Sequence, residues 1–206
     1  MRVTKPYPRI ILASASPRRI ELLTEIGLTF KVCPANIDET INTRHTPHRI
    51  AMDLAYQKAR KVADSVRDDT TIILGGDTIV VYREHLLGKP KTQKEAVAML
   101  TRLNGKTHQV ITGLCLIQGK KILKGYESTA VSFRNVTREW ILDYVASGEP
   151  MDKAGAYAIQ EKGALLVKKI KGDYPNVIGL PLVKLSEMLS QFGIKILPTG
   201  IHNTRD

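Results

Sequence analysis

Four short stretches carry residue types that do chemistry, at spacings that can be read. Ala13-Ser14-Ala15-Ser16-Pro17-Arg18-Arg19 ends an apolar strand pattern and opens a helix pattern, with Ser16 as N-cap and Pro17 as the first helical residue. Free N–H groups and the positive dipole end at such a start favour phosphate. Two arginines placed there oppose the dipole unless an anion compensates them, although a capped helix with two solvated arginines accounts for the same residues. Gly75-Gly76-Asp77-Thr78 lies between two apolar runs, Thr71–Leu74 and Ile79–Tyr82. The glycines let the backbone turn or a ligand come close. Asp77, at the end of a buried strand, can activate water or hold a divalent cation; a hairpin with a turn-forming Asp is the alternative. Lys89 in Gly88-Lys89-Pro90 reads as a phosphate partner or as an ordinary exposed loop lysine. Gln160 follows the small, apolar stretch Gly155-Ala156-Tyr157-Ala158-Ile159. There its amide offers donor and acceptor together to a base edge, or simply closes a turn.

Other chemistries are excluded by spacing. Gly105-Lys106-Thr107 resembles the end of a phosphate loop, but Leu100 stands where the first glycine of that loop belongs. Gly113 to Gly119-Lys120 has one residue too many, and Lys121 where Ser or Thr is required. The five histidines, His45, His48, His85, His108 and His202, form no zinc-ligand spacing. No G-x-S-x-G elbow is present.

Strand and helix patterns alternate along the chain, which predicts an α/β fold. Strands are expected at Arg9–Ala13, Thr29–Val32, Thr71–Leu74, Ile79–Tyr82, Val110–Ile117, Ile122–Phe133 and Ala164–Ile170. The spacing predicts helices over Pro17–Ile26, from Thr46-Pro47 to Val62, and over Gln93–Leu103, Thr137–Ala146 and Leu182–Gln191. Thr92 and Glu95 form a capping box before the third of these. No repeat or linker divides the 206 residues, so one domain over 9–195 is expected, or two small lobes with a cleft. Residues 1–8 read as an N-terminal extension and 196–206 as a C-terminal tail.

Composition narrows the partners. The 31 Lys and Arg against 20 Asp and Glu leave a formal charge of +11, and every quarter of the chain has the basic excess. With aromatics at 5% and no interleaving of Arg with aromatic residues, a base-stacking platform for nucleic acid is disfavoured. A small, highly charged anion fits better. Two cysteines, Cys33 and Cys115, make neither a disulfide framework nor a four-ligand zinc site. No apolar run has the ~20 residues of a membrane span, and Ile10–Ala13 is short for a secretory core of about 7–15 residues. A cytoplasmic protein is expected.

Taken in order, Ala13–Arg19, Gly76-Asp77-Thr78, Gly88-Lys89-Pro90, Ser147-Gly148-Glu149-Pro150 with Asp152–Tyr157, and Gly179-Leu180-Pro181 resemble the Maf nucleotide pyrophosphatases over about residues 9–193. The resemblance implies an elongated mixed sheet flanked by helices, related to inosine triphosphate pyrophosphatases. It implies hydrolysis of a nucleoside triphosphate to the monophosphate and pyrophosphate with a divalent metal, Mg²⁺ or Mn²⁺. It makes Asp77 the proton acceptor and links Arg18, Thr78 and Gln160 to base choice. It also places Ser14, Arg19, Glu39, Lys58 and Lys89 in the pocket, with Glu39 and Asp77 as metal ligands. Pro17-Arg18-Arg19 looks like the branch that prefers dTTP and UTP; members preferring 7-methyl-GTP have Trp at this point. Gly76 stands where Ala is common. A homodimer is the assembly the resemblance suggests, and a role in septum formation or division arrest is a second function associated with such proteins.

Overall fold

The computed structural model describes residues 9–197; the expected extension 1–8 and most of the expected tail lie outside them. Its frame is one long strand, β3 (Ile72–Tyr82), whose burial is nearly continuous. One edge of β3 pairs antiparallel with β5 (Thr107–Gln118) from Ile73 to Val81. β5 continues into β6 (Lys121–Phe133) through the two-residue turn Gly119-Lys120, where Gly119 takes φ of 53°. β7 (Val167–Lys171) then pairs with the last residues of β6.

The other edge of β3 is interrupted. β1 (Ile10–Leu12) runs parallel to Ile72–Leu74, and β4 (His85–Leu87) runs antiparallel to Val80–Tyr82. Both strands therefore point their C-terminal ends at Gly75–Ile79 and stop short of it. At about 3.3 Å per residue, the gap from Leu74 to Val80 is roughly 20 Å long. A short β2 (Lys31–Val32) adds to the outer side of β1, which makes a seven-stranded mixed sheet.

Alternation along β3 and β5 sends side chains to two different layers. Ile73, Ile79, Val81, Ile111, Cys115 and Ile117 face α2 (Pro47–Ala63). Leu74, Val80, Val110, Leu114 and Leu116 face the larger core on the opposite side. That core is closed by α1 (Pro17–Glu25), α3 (Gln93–Leu103), α4 (Arg138–Ala146), the short α5 (Tyr174–Ile178) and α6 (Leu182–Ser190).

Several helix ends follow their expected chemistry. α1 ends in a Schellman arrangement at Gly27, with Gly27 N donating to Thr24 O and Leu28 N to Leu23 O. Thr92 Oγ1 accepts from Glu95 N, but the Glu95 carboxylate reaches Lys91 N instead of closing the box on Thr92. Ser16 is the N-cap of α1, yet its side chain makes no capping bond.

Three expectations need correction. The glycines before Asp77 do not break the strand, because β3 runs through them without a turn. Gly75 faces α2 and Gly76 the opposite side of the sheet. A Cβ on Gly75 would lie 2.2 Å from Ala55 O and 2.9 Å from Ala59 Cβ, so only glycine lets α2 come this close. The expected strand Ala164–Ile170 starts too early, since Glu161–Leu166 forms a 3₁₀ segment and pairing begins at Val167. β4 and α5 were not anticipated. Three and five residues respectively are too short to display a period.

Replacing Gly75 with Ala forces α2 away from the sheet. The expected loss is about 1–3 kcal/mol in a urea melt, the usual size for overpacking a filled core. A second prediction concerns pH. His108 is buried beside Phe133 and Tyr157, with Nε2 2.8 Å from the Tyr157 hydroxyl and Nδ1 without a hydrogen-bond partner among the described residues. Burial pushes its pKa down from 6.5 to about 4. As pH falls below 6.5 the unfolded chain takes up this proton and the folded chain does not, so stability drops until about pH 4. The lost stability is on the order of 3 kcal/mol. His108→Gln is expected to flatten the fall in melting temperature between pH 7 and pH 4.5, measured against the wild type.

Candidate active site

The interrupted edge of β3 opens into a cavity of about 670 Å³. The chain leaving β1 supplies Ser14–Arg19, and the chain leaving β4 supplies Gly88 and Lys89. Lys58 of α2, Glu39 from the preceding loop, Lys153, and Gly179 after α5 complete the charged and polar wall. Because neighbouring side chains of a strand point to opposite faces, the cavity straddles the sheet. Asp77 turns toward α2 and Thr78 toward α1 and α5.

On the α2 side, Lys58 Nζ lies 2.5 Å from Asp77 Oδ1 and 2.8 Å from Glu39 Oε1. The ammonium is a single cation held between two carboxylates. Asp77 is only 8% exposed. Burial raises its pKa, while Lys58 and Arg19 pull it back and Glu39 adds a smaller push upward. The result is a carboxylate more basic than one in water, with Oδ2 making no hydrogen bond among the described residues.

On the other side, Arg19 is buried at 8% exposure, with no carboxylate partner within 4 Å among the described residues. Its Nε donates to Gly179 O (2.9 Å), Nη1 to Ser14 Oγ (3.1 Å) and Nη2 to Thr78 Oγ1 (3.1 Å). All three acceptors are neutral. Desolvation lowers the Arg19 pKa, and Asp77 acts against it, but guanidinium keeps its charge throughout the range in which proteins are folded. A desolvated cation with neutral partners favours an incoming anion. Arg19 packs against the strand at Gly76, where a Cβ would sit 3.3 Å from Nε.

Ser14 shows what such a site offers to oxygen. Its Oγ accepts from Ser16 N (3.2 Å) and from Arg19 Nη1, which occupies both lone pairs. Its one proton is left over, so Ser14 is a donor toward the cavity.

Most of the residues expected from sequence thus meet around one space: Ser14, Arg18, Arg19, Glu39, Lys58, Asp77, Thr78 and Lys89 all line it. Arg18 is half-buried there and Lys89 exposed. Gln160 is not brought to the cavity wall, which ends at Ile159; it stands as the residue before the 3₁₀ segment Glu161–Leu166. Sequence reasoning passed over Lys153. Its side chain is nearly buried, and its Nζ is fixed by Glu149 O (2.8 Å) and Asp152 Oδ1 (2.7 Å). The Asp152-Lys153 pair was visible, but nothing in the local pattern set it apart from a solvated ion pair. Val80, Val110, Tyr157, Ile159, Val177 and Ile178 provide an apolar wall.

The geometry can be compared with known proteins. A family model described as "Maf-like protein" matches residues 9–192. A dTTP/UTP pyrophosphatase of Bacillus cereus (strain AH820) is 48% identical over 188 residues, covering 91% of this chain and 97% of that protein. A dTTP/UTP pyrophosphatase of Bacillus anthracis matches with the same identity and coverage. Among solved structures, a HAM1 protein from Coxiella burnetii has a TM-score of 0.45 at 17% identity, covering 89% of this chain and 98% of its own. A nucleoside-triphosphatase from Mycobacterium abscessus, described as a dITP/XTP pyrophosphatase, has a TM-score of 0.39 at 12% identity over 62% of this chain and 75% of its own. The family match spans every element that frames the cavity, from β1 to the end of α6, and on that match the chain belongs to the Maf family.

Proposed function

We propose that this protein hydrolyses dTTP and UTP at the α-phosphorus, releasing the nucleoside monophosphate and pyrophosphate. The observation that carries the reading is the meeting, in one cavity, of a buried and basic carboxylate with two cations that act on it, Lys58 and Arg19, while a third, Lys153, lines the same space in a pair with Asp152. The close relatives named dTTP/UTP pyrophosphatases support the choice of nucleotide.

The reaction forms a bond from a water oxygen to the α-phosphorus and breaks the bridging bond to the β-phosphate oxygen. In this reading Asp77 takes the proton of the attacking water through Oδ2, while Lys58 keeps Oδ1 in place. Burial serves that task, because a raised pKa makes the carboxylate a stronger base. Arg19 and Ser14 bind phosphate oxygens, the one by charge and the other by its free proton. Lys153 and Lys89 add positive charge to meet the negative charge that builds on departing pyrophosphate. Arg18 and Thr78 are the proposed readers of the base from the cavity wall; Gln160 is proposed as a third from one residue beyond that wall.

Asp77 and Glu39 are the proposed ligands of a divalent cation. Both reach the same ammonium, so the two carboxylates lie side by side at the cavity wall. Two hard carboxylates suit Mg²⁺ or Mn²⁺, which take one or two such ligands and complete their shell with phosphate and water. When bound, the cation neutralises phosphate charge and makes the attacking water more acidic. A homodimer in the cytoplasm belongs to the same reading. No described helix is long and apolar enough to cross a membrane.

The test is pyrophosphate release across dTTP, UTP, CTP and 7-methyl-GTP, with and without Mg²⁺. The expected order of kcat/KM puts dTTP and UTP first, and release should need the metal. Preference for 7-methyl-GTP would refute the assignment; binding without release would leave a nucleotide sensor. Asp77→Asn is expected to cut kcat by about 10²–10⁴-fold with the melting temperature kept near that of the wild type. Near-normal turnover by that variant would remove Asp77 from the chemistry.

A further inference from the structure

Behind Thr78 a chain of buried polar groups runs through the sheet, and nothing in the proposed reaction uses it. Thr78 Oγ1 lies 2.9 Å from Thr112 Oγ1 on β5. Thr112, which has no exposed surface, donates to Asn176 O at 3.0 Å. Asn176, equally buried, donates through Nδ2 to Val110 O and to Thr129 Oγ1. α5 is thereby pinned to β5 and β6, and with it Gly179, whose carbonyl receives Arg19 Nε.

The direction of each bond follows from counting protons. The Asn176 carbonyl can only accept, and Thr112 is the donor that satisfies it in the interior, where an unpaired carbonyl is costly. Thr112 has one proton and has spent it there. Between the two hydroxyls, Thr78 must then be the donor. With its proton committed to Thr112 and one lone pair taken by Arg19 Nη2, Thr78 has a single lone pair to present to the cavity. Ser14, 8% exposed on the same Arg19, has the reverse polarity, with both lone pairs taken and a proton to give.

We infer that Thr112 is a specificity-determining positioning residue: by holding the Thr78 hydroxyl as an acceptor only, it selects a nucleobase that offers a ring N–H, as uracil and thymine do at N3. The inference rests on the reading of the cavity as a pyrimidine nucleotide site and deepens it. Cytosine has an acceptor at N3, so two acceptors would face each other across the contact and both would lose their partner to the exclusion of water. A phosphate oxygen at Thr78 is disfavoured for the same reason. Thr112 itself touches no ligand and acts only through the hydroxyl it orients.

Thr112→Val keeps the shape and removes the hydroxyl. Thr78 is then free to turn its proton to the cavity and donate to cytosine. The ratio of kcat/KM for UTP over CTP is expected to fall about tenfold, the size of one hydrogen bond gained or lost. Thr112→Ser retains the proton and is expected to keep the wild-type ratio, which a loss of packing alone would not predict. Equal loss on both nucleotides in Thr112→Val, with the ratio unchanged, overturns the inference while leaving the nucleotide reading intact. If that variant fails to fold, Thr78→Val supplies the test, because it removes the acceptor; the ratio should again fall about tenfold, and an unchanged ratio is fatal. A wild-type protein equally active on UTP and CTP also overturns it. Pyrophosphate release from neither nucleotide refutes the underlying reading, and this inference falls with it.

Discussion

The structure is organised by a sheet edge left open in its middle. Backbone N–H and C=O groups along Gly75–Ile79 have a partner strand on one side only, since β1 and β4 stop at either end of the gap. Such groups must find water or a ligand, and an open edge in most proteins is a liability that is covered or blunted. Here two loops and the start of α1 stand around it without closing it, and the sheet acquires a cleft in its own plane. The placement resembles the crevices beyond strand C-termini in open α/β sheets, with one difference. Two strands point their C-terminal ends into the same gap from opposite directions.

A site that straddles a sheet inherits two environments. Toward α2, the charge is net negative, one ammonium of Lys58 between the carboxylates of Asp77 and Glu39. Toward α1 and α5 it is positive, since Arg19 is desolvated among neutral acceptors. The two halves are separated by one peptide unit of β3, yet Arg19 and Asp77 still feel one another through the low-dielectric interior. The imbalance is tolerated because Arg19 has every contact it needs to stay in place before any ligand binds. Preorganised charge of this kind is worth more than mobile surface charge of the same sign. Of the +11 on the chain, only these few cations are fixed at the cavity, and the rest can at most raise the local concentration of anions.

How much of this could be read in the chain depends on whether a residue's reason for being there is local. α3 is legible to the residue because period, cap and length agree. The Ala13–Arg19 stretch is legible because a strand end, a capped turn and two arginines are adjacent. Asp77 was legible as chemistry but not as architecture. Its two glycines look like a break, and only the approach of Ala55 and Ala59 to Gly75, and of Arg19 to Gly76, shows that they are contact surface inside a continuous strand. Lys58 and Glu39 have no local signal at all, being brought to Asp77 by the packing of α2 on that same surface; only the family resemblance named them. Thr112 and Asn176 read as ordinary residues of an apolar strand and a short turn. Their importance lies in the direction of protons, which no spacing encodes.

The loop opposite the helix start shows what the fold must spend to keep the cavity in shape. Between Gly148 and Glu161 the backbone takes positive φ four times, twice at glycine and twice at Ala156 (60°) and Glu161 (56°). Non-glycine residues resist this region by roughly 1–3 kcal/mol each, so the loop needs anchors stronger than its own preferences. Glu149 provides them by accepting from the Tyr144 hydroxyl, Lys162 N and Gly163 N, while the Tyr144 oxygen accepts from Ala158 N. Gly163 has to be glycine, because a Cβ would lie 2.4 Å from that hydroxyl. Tyr157 is held from behind by His108. Strain and anchors fall in the segment that presents Lys153, Tyr157 and Ile159 to the cavity, and the hydrogen bonds around Glu149 tie that wall to α4 through Tyr144.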